Sequence, residues 1–403
     1  MTAHVYLYDA PELHDLFLPF SVSRPLGELR YGALLLRERW SALSGRAVAG
    51  HLGAPHLADF AEPGTPPVVA RPGAGDAPRL VFLSSFVPDA GAPIPDRVDR
   101  PGRFLDATGA LVGLALPEAV EWDGWRAPES WPSKTLPGKR LAGVWDLIGD
   151  LPAALARDLE RLRQERDERG IPRGVTVLGD PALVVAAGAS VEPSVVLDVR
   201  KGPIVLAPGV EVRAMTRLAG PLAVERDTRL VGGQISASAI GPRCVVGGEV
   251  TASIFLGYAN KAHDGFLGHS VVGRWVNIGA TTVTSNLKNT YGPVRLALRG
   301  VRCDTGLTNL GTLFGDHVKT AIGTMLPTGC VVGAGANVFG SKRPPAEIPA
   351  FAWGLDREGE VLDVARFVAI AERVLPRRDI AVDDAMRRYL AAVWAAARGT
   401  PCG

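Results

Sequence analysis

The sequence has little cysteine and no cysteine motif. Its 403 residues include four cysteines, with no CxxC pair and no spacing that suits a zinc site. These are Cys244, Cys303, Cys330 and Cys402. Scattered single thiols are typical of a reducing compartment. The sequence therefore predicts a cytoplasmic protein with reduced cysteines and no metal site.

Long apolar runs and an excess of one charge are also absent. No uninterrupted apolar stretch reaches the roughly 18 residues that would cross a bilayer, and the amino terminus does not have the basic start and apolar core of a signal peptide. Forty-four basic side chains nearly balance 42 acidic ones, so no net field favours nucleic acid or a membrane surface. We expect a cytosolic protein that binds small molecules through local charge.

Residues 1–145 alternate short apolar runs with helical or turn-like segments, which predicts an α/β domain. VYLYDA (5–10) and RLVFLSSF (79–86) predict buried strands, and GALLLRERWSAL (32–43) predicts an amphipathic helix. FLDATGALVGLAL (104–116) predicts a hairpin that turns at Thr108-Gly109. A stripe of leucines between residues 146 and 172 predicts a connecting helix.

A six-residue period runs through the second half of the chain. It is clearest at Phe314, Thr320, Leu326, Val332 and Val338, and the same phase leads back to Val272 and Ile278. Shorter pairs in this phase are Val185/Val191, Leu206/Val212, Val224/Leu230 and Ile240/Val246. One inward residue in six is the pattern of a parallel β-helix with triangular coils, which we predict for residues 173–345. The alternative is an ordinary β-sandwich with a Gly- and Val-rich composition.

Two interruptions of this period, at 251–270 and 282–312, predict loops that project from the coil, where function is often found. Residues 346–403 carry two helical stripes and are predicted to form a helical cap over the open end of the coil.

The interruptions contain the residues that carry a family resemblance. The block KAHDGFLG, followed by VNIGATTVTSN from Val276, resembles the acetyltransferase half of the bifunctional N-acetylglucosamine-1-phosphate uridyltransferase/glucosamine-1-phosphate acetyltransferase. The resemblance extends through residues 315–341. Residues 18–40, LPFSVSRPLGELRYGALLLRERW, resemble a branch of sugar nucleotidyltransferases related to that enzyme, with a shortened first domain. This likeness implies a left-handed β-helix, a homotrimer and acetyl-CoA as co-substrate.

The resemblance also implies roles for individual residues. It makes His263 the general base, and Asn277 and Asn286 the contacts to the sugar phosphate. An amine acceptor is mostly ammonium at pH 7, and imidazole has a suitable pKa for taking its proton. His269 and His317 are alternative bases. Further candidates are Lys261 and Lys288 for the acceptor's phosphate, and Ala280, Lys319 and Arg343 for the acyl-CoA.

The chain departs from the family pattern at several positions. Adjacent lysines of the family correspond here to Ala252 and Ser253, and a tyrosine after the histidine corresponds to Phe266, which predicts weaker phosphate recognition. In the first domain, YDAPELHDLFLPF stands where related nucleotidyltransferases have a Gly-rich phosphate loop. Arg24 and Arg30 are candidate phosphate contacts there.

The same two arginines, with Glu28, have an alternative structural role, in which they anchor a turn onto the helix at 32–43. No Gly-Asp metal site follows the strand at 79–86, so Mg²⁺ is expected only if the first domain is active.

Three functions are therefore compared. The first is acetyl-CoA-dependent acyl transfer to an amino-sugar phosphate or a sugar nucleotide, with a degenerate nucleotidyltransferase domain. The second is sugar-1-phosphate nucleotidyl transfer, with the β-helix used for assembly. The third is non-catalytic binding of a sugar nucleotide by a trimer.

Overall fold

The computed structural model of the protein describes residues 2–73, 77–164, 171–186 and 188–399. The chain forms an α/β domain, a pair of connecting helices, a left-handed parallel β-helix and two carboxy-terminal helices. The predicted fold class is confirmed. Within the described ranges, no helix combines the length and the apolar character needed to cross a bilayer.

The amino-terminal domain is built on a mixed sheet. In spatial order, its strands are Val48–Leu52, His4–Tyr8, Arg79–Leu83, Leu111–Leu116, Gly102–Leu105 and Ser133–Thr135. The first three are parallel, and the next two join antiparallel. Both predicted central strands are confirmed. The predicted hairpin turns at Thr108-Gly109, where Gly109 adopts a φ of 84° that favours glycine.

Shorter elements surround this sheet. Helix α1 covers Leu36–Ser44 and begins later than predicted, because Leu34–Leu35 first pairs with Arg30–Tyr31 in a small hairpin. Another hairpin pairs Phe86–Pro88 with Gly138–Arg140. Short 3₁₀ turns lie in this domain at Pro11–Leu13, Asp15–Phe17, Leu26–Glu28 and Pro55–Leu57. Two more lie further along the chain, at Pro181–Leu183 and Leu375–Arg378.

The connecting segment contains helix α2 (Asp146–Gly149) and helix α3 (Leu151–Gln164). The apolar stripe predicted for this segment is buried at Leu151, Leu155 and Leu159. Residues 165–170 of the predicted connecting helix lie outside the described residues.

The β-helix has three faces, which we name for what lies on them. The docking face consists of the strands Val184–Val185, Ile204–Leu206, Leu222–Val224, Ala239–Ile240, Ile254–Phe255, Val271–Val272, Leu313–Phe314, Val331–Val332 and Glu347–Ile348. The amide face consists of the strands Ser190–Val191, Glu211–Val212, Arg229–Leu230, Val245–Val246 and Asn260–Lys261, continued by Lys319–Thr320 and Asn337–Val338. The third face consists of the strands Thr176–Leu178, Val196–Asp198, Thr216–Ala219, Gly233–Ser236, Glu249–Thr251 and Phe266–Gly268, followed by Val283–Thr284 and Met325–Leu326.

The six-residue period corresponds to the inward side chains of the coil. Phe314, Leu326, Val332 and Val338 are buried in the β-helix core, as predicted. Of the shorter pairs, one is out of register. Val185 points outward and packs in the apolar cluster between the coil and the amino-terminal domain, whereas its neighbour Val184 points into the core of the coil.

The two predicted interruptions differ in structure. Residues 251–270 continue the coil, because their three strands pair in register with the coil before them. The six-residue period was obscured there because these turns of the β-helix are shorter than three hexapeptides: Ile240 pairs with Phe255, 15 residues later, and Phe255 with Val272, 17 residues later. Residues 282–312 contain a true insertion, the antiparallel hairpin Arg295–Leu298 and Val301–Asp304. This hairpin packs with the amino-terminal domain, and Arg299 pairs with Asp15 at 3.1 Å.

The docking face is apolar on its outer side as well as its inner side. Outward residues on successive coils are buried against α2, α3 and the segment around Leu26 and Leu29. They are Val185, Val205, Ala223, Ala239, Ile254, Val271, Leu313 and Val331. Burying each valine, leucine or isoleucine contributes about 1.5–3 kcal/mol. The amino-terminal domain, the connecting helices and the inserted hairpin therefore together bury the outer side of the docking face from Val185 to Val331.

Two carboxy-terminal helices complete the fold. The last two helices are α4 (Val364–Val374) and α5 (Asp384–Ala397). Each is preceded by a capping aspartate, Asp363 or Asp383, whose side chain accepts a backbone hydrogen bond from the first turn. They pack along one corner of the coil, on Trp275 and Phe351, and on Phe60 of the first domain. Both helices form within residues 346–403, where helices were predicted, and their buried contacts lie along a corner of the coil.

Candidate functional site

His263 lies at the corner where the amide face turns into the third face. Its side chain is exposed. On the next coil, Thr281 donates its backbone N–H to the carbonyl of Asp264 at 2.9 Å, and on the coil after that Gly323 donates to the carbonyl of Ala280 at 2.8 Å. This column of corners, at 263–264, 280–281 and 322–323, is named the His263 corner. The structure thus brings His263 and Ala280 onto adjacent coils.

Beside this corner, polar side chains form a row on the amide face. Asn260, Asn277, Lys319 and Asn337 occupy the same outward position on successive coils. Asn260 donates its side-chain amide to Asn277 Oδ1 at 2.8 Å, and Asn277 is exposed. Asn260 and Asn337 were missed from the sequence. Each directly precedes an inward residue of the coil, and that position is a signal for an outward side chain.

Lys319 belongs to this row but is half-buried. Its ammonium donates to the carbonyl of His317 at 3.2 Å, and burial lowers the pKa of Lys319 to about 8. Arg343 is exposed and lies in the loop between the amide-face strand Asn337–Val338 and the docking-face strand Glu347–Ile348. Of the three predicted acyl-CoA contacts, Ala280 therefore lies at the His263 corner and Lys319 on the amide face, and Arg343 lies on neither.

The second predicted asparagine lies at a different corner. Asn286 donates its side-chain amide to His269 Nδ1 at 2.7 Å, and burial lowers the pKa of His269. The ring of Phe266 lies beside them, against Gly268. Lys288 donates to a backbone carbonyl of its own loop, that of Pro293. The predicted acceptor residues thus form two clusters, separated by the third face.

Lys261 points into the coil. It is 2% exposed, and its ammonium donates to the carbonyl oxygen of His263. Burial lowers the pKa of Lys261 to about 8, although Asp264 opposes this shift. The predicted direct contact with a substrate phosphate is not what this geometry supports, because the ammonium lies on the inner side of the corner.

Ser253, which stands where the resembling family has a lysine, belongs to a buried column of serines. Its Oγ accepts from the backbone of Ser270 at 3.1 Å, and its own N–H donates to Ser238 Oγ at 3.0 Å. Serine at this position therefore supports a corner of the coil.

His317 is buried, and its ring packs against Trp275 and Phe367. Burial, with the nearby charge of Lys319, lowers the pKa of His317 to about 3, so its imidazole is neutral at physiological pH. A buried ring packed between aromatic side chains is poorly placed to meet a substrate as an alternative base.

Arg24 joins the amino-terminal domain to the β-helix. It is 1% exposed and pairs with Asp316 at 2.8 Å and with Glu62 at 3.0 Å. Arg274 also pairs with Glu62, at 2.8 Å. Although burial alone would raise the pKa of Asp316, the charge of Arg24 holds it below its usual value. This group, Arg24, Glu62, Arg274 and Asp316, is named the ion clamp.

Arg30 has a similar bridging position. It is buried and pairs with Glu225 of the β-helix at 2.7 Å. Glu28 accepts from His51 at 2.9 Å and pairs with Arg37 of α1 at 2.7 Å. Arg30 also donates to the carbonyl oxygen of Ala33, in the turn before α1. Glu28 and Arg30 thus have the predicted anchoring role, and Arg24 and Arg30 hold the two domains together.

The amino-terminal domain has its own crevice. The strand His4–Tyr8 lies between the next two parallel strands of the chain, and ligands of such sheets bind beyond the carboxyl ends of strands at this switch point. There Tyr8 stacks on Trp125 with ring centroids 5.0 Å apart. Pro11, Glu12 and Arg126 line the same open cavity of about 640 Å³. The aromatic pair was not identified from the sequence.

Asp9 follows Tyr8 directly, at the carboxyl end of the same strand. One oxygen of Asp9 accepts the backbone N–H of Leu26 at 2.9 Å, and burial raises the pKa of its carboxyl group. Among the described residues, no cluster of three or more His, Cys, Asp or Glu side chains could hold a metal ion.

Comparison with known proteins agrees with this division of the chain. Residues 5–167 match the family model described as sugar nucleotidyl transferase. The chain is 32% identical over 91 residues to a bifunctional sugar-1-phosphate nucleotidylyltransferase/acetyltransferase of Sulfurisphaera tokodaii, which covers 23% of each chain. It is 34% identical over 86 residues to the bifunctional protein GlmU of Methanocaldococcus jannaschii, which covers 21% of each chain.

These matches span less than a quarter of each relative. The family model, in contrast, covers the whole sheet of the first domain and its connecting helices. Residues 5–167 therefore match a sugar nucleotidyl transferase domain, which this chain carries on the docking face of a left-handed β-helix.

Proposed function

We propose that the β-helix is an acetyl-CoA-dependent acyltransferase that acts on an amino-sugar phosphate or a sugar nucleotide. The position of His263 is the observation that supports this most directly. Its imidazole is exposed at a corner of a rigid coil, beside the outward amides of Asn260 and Asn277. The relative named as a bifunctional sugar-1-phosphate nucleotidylyltransferase/acetyltransferase makes acetyl transfer the first reaction to test.

In the proposed reaction, His263 takes a proton from the acceptor's ammonium group, and the free amine attacks the thioester carbon of acetyl-CoA. The carbon–nitrogen bond forms, the carbon–sulfur bond breaks, and coenzyme A leaves with the proton from the imidazole. The attacking nitrogen loses a second proton to solvent as the neutral amide forms. Asn277 and Asn260 hold polar groups of the sugar. Ala280 and Lys319 contact the acyl-CoA beside the His263 corner, and Arg343 reaches it from the loop that follows the strand Asn337–Val338.

The active form is proposed to be a homotrimer. In the family that the sequence resembles, the acyl site lies between the β-helices of neighbouring subunits. The corners beside His263 expose large apolar side chains, Ile322 and Met325, which are 78% and 70% exposed in the single chain. Closed threefold symmetry would cover them and limit the assembly. Sedimentation equilibrium at micromolar concentration, which should give three chain masses, checks this.

A second function is proposed for the amino-terminal crevice, where the Tyr8–Trp125 stack offers a flat surface to a nucleotide base. We expect the crevice to bind a nucleotide but to release pyrophosphate from UTP and a sugar phosphate slowly or not at all. The Gly-rich phosphate loop is missing, and Arg24, the candidate replacement, is held in the ion clamp.

Thermal shift separates the functions, because a ligand that binds the native state raises its stability by about 2.7 kcal/mol at 100 times Kd. We expect acetyl-CoA to raise the unfolding temperature. Acetate, which carries the acetyl group without coenzyme A, is the control and should not raise it. A thermal shift with UTP and Mg²⁺ and rapid release of pyrophosphate, with no thermal shift on adding acetyl-CoA, would favour nucleotidyl transfer. A shift with a nucleotide sugar alone would favour the non-catalytic trimer.

Lys319 gives this proposal a pH dependence. Since burial lowers the pKa of Lys319 to about 8, its charge is present at pH 7 and mostly lost at pH 9. Losing one charge-assisted hydrogen bond costs about 1.5 kcal/mol, so acetyl-CoA affinity is expected to fall about tenfold over this range. Calorimetric titration at both pH values measures it. Lys319→Met should bind weakly at both, and an unchanged pH dependence in that variant would remove Lys319 from the cofactor site.

A further inference from the structure

A lysine occupies a position inside the coil where aliphatic side chains are the rule. The strand Asn260–Lys261 pairs in register with Val245–Val246, which places Lys261 above Val246 in the inward column of the amide face. The bridge between Asn260 and Asn277 places Ile278 on its other side. Lys261 is thus stacked between two aliphatic residues of the core and is 2% exposed.

The far end of this side chain meets the corner that carries His263. The ammonium donates to the carbonyl oxygen of His263, two residues along the chain. Gly248, on the coil below, leaves room for it, because a Cβ at Gly248 would lie 2.9 Å from Nζ. Within the described part of the chain, Nζ has no second hydrogen-bond acceptor, and Asp264 is the charged group with which it interacts.

Such a lysine is costly for the fold. A buried ammonium loses its hydration, and one carbonyl with one nearby carboxylate replaces that hydration incompletely. A methionine would fill the same column without this cost, and the residues above and below show that the coil accepts aliphatic side chains here. A side chain that lowers stability at a candidate active site indicates a role in function.

We propose that Lys261 is a positioning residue, whose ammonium fixes the corner 262–264 from inside the coil while the imidazole of His263 faces the acceptor outside. This inference rests on the proposed function of His263 as the base. The same backbone carbonyl that binds Lys261 belongs to the residue that takes the proton, so the contact sets the orientation of the whole residue.

The test replaces Lys261 by methionine, which keeps the length of the side chain and removes the charge. We expect kcat to fall about 10- to 100-fold, with the KM for acetyl-CoA nearly unchanged, while the unfolding temperature stays the same or rises. Amide hydrogen exchange in residues 262–266 should become faster, with other coils unaffected. Lys201→Met, the same change at an exposed lysine of the β-helix, is the matched control and should alter none of these.

A pH series adds a readout that a structural lysine would not give. Wild-type kcat should decline above about pH 8 as the ammonium loses its proton, and Lys261→Met should lack this decline. Because the folded chain holds this proton less tightly than the unfolded chain, wild-type stability should rise from pH 8 towards the ordinary lysine value of 10.5. The rise should be smaller in Lys261→Met, where Lys319, whose pKa burial also lowers to about 8, still contributes to it.

Three outcomes decide the inference. Normal kcat with unchanged hydrogen exchange in Lys261→Met would overturn it. Parallel loss of stability and activity would also overturn it, since that result describes a lysine needed only for folding. If His263→Ala kept its activity, the proposed function would fail instead, and faster exchange at 262–266 in Lys261→Met would still show that the lysine holds this corner.

Discussion

Replacing His263 by alanine is expected to lower turnover in acyl transfer by about 10²–10⁴-fold, the range typical for loss of a positioned general base. The affinity for acetyl-CoA should change little, because the imidazole meets the acceptor and not the cofactor. Steady-state thiol release measures turnover, and equilibrium titration measures affinity. The side chain is exposed and makes no hydrogen bond within the described residues, so the variant should fold normally.

His4→Ala, at an exposed histidine of the first domain, is the matched control and should keep full turnover. His269→Ala tests the other corner. If His269→Ala lost activity while His263→Ala kept it, the base would have to be assigned to the cluster of His269 and Asn286.

Replacing Asp316 by alanine is expected to destabilise the protein by about 3–5 kcal/mol, because breaking a buried ion pair leaves a charge without its partner. Asp316 accepts hydrogen bonds from Ser23, Arg24 and the backbone of Arg274. Its depressed pKa means that this stabilisation is present at neutral pH and is lost on acidification through that pKa. Urea unfolding measures the loss.

The matched control for Asp316 is Asp304→Ala, which removes an exposed partner of Arg295. That change should cost less than about 1 kcal/mol, as exposed pairs usually do. If both aspartates cost the same, the ion clamp would not be what joins the domains. The docking face alone would then have to hold the first domain in place.

The coil could be predicted because its core repeats. Phe314, Thr320, Leu326 and Val332 recur every six residues and all are buried. Such a period leaves little choice of fold, because each of these positions needs a side chain that fits inside the coil. Val185 was misplaced by one residue for a physical reason. On the docking face both sides of the strand are buried, so neighbouring valines are equally apolar and the period alone cannot separate them.

The roles of the charged residues were harder to predict, since they depend on contacts distant in sequence. Arg24 and Asp316 are 292 residues apart, and nothing local to LPFSVSRPLGELR distinguishes a phosphate contact from a clamp. Lys261 was predicted to contact the acceptor's phosphate, and its burial was not foreseen because lysine is rarely buried. The register of Asn260–Lys261 with Val245–Val246, which places it inside, follows only from counting the shortened coil.

The amino-terminal crevice could be predicted only in part from the sequence. Missing glycines could be read from the sequence, but the stack of Tyr8 and Trp125 joins a strand end to a loop more than 100 residues later. The α/β domain was therefore predicted correctly, while the aromatic surface that suits a ligand became visible only in the fold.

The most direct test of the central claim is thiol release from acetyl-CoA by the wild-type protein, measured with amino-sugar phosphates and with nucleotide sugars that carry a free amine. We predict release that depends on one of these acceptors, needs the intact coil and falls about 10²–10⁴-fold in His263→Ala. Acceptor-independent release, or none with any of them while UTP and a sugar phosphate yield pyrophosphate, would contradict the assignment of acyl transfer to the β-helix.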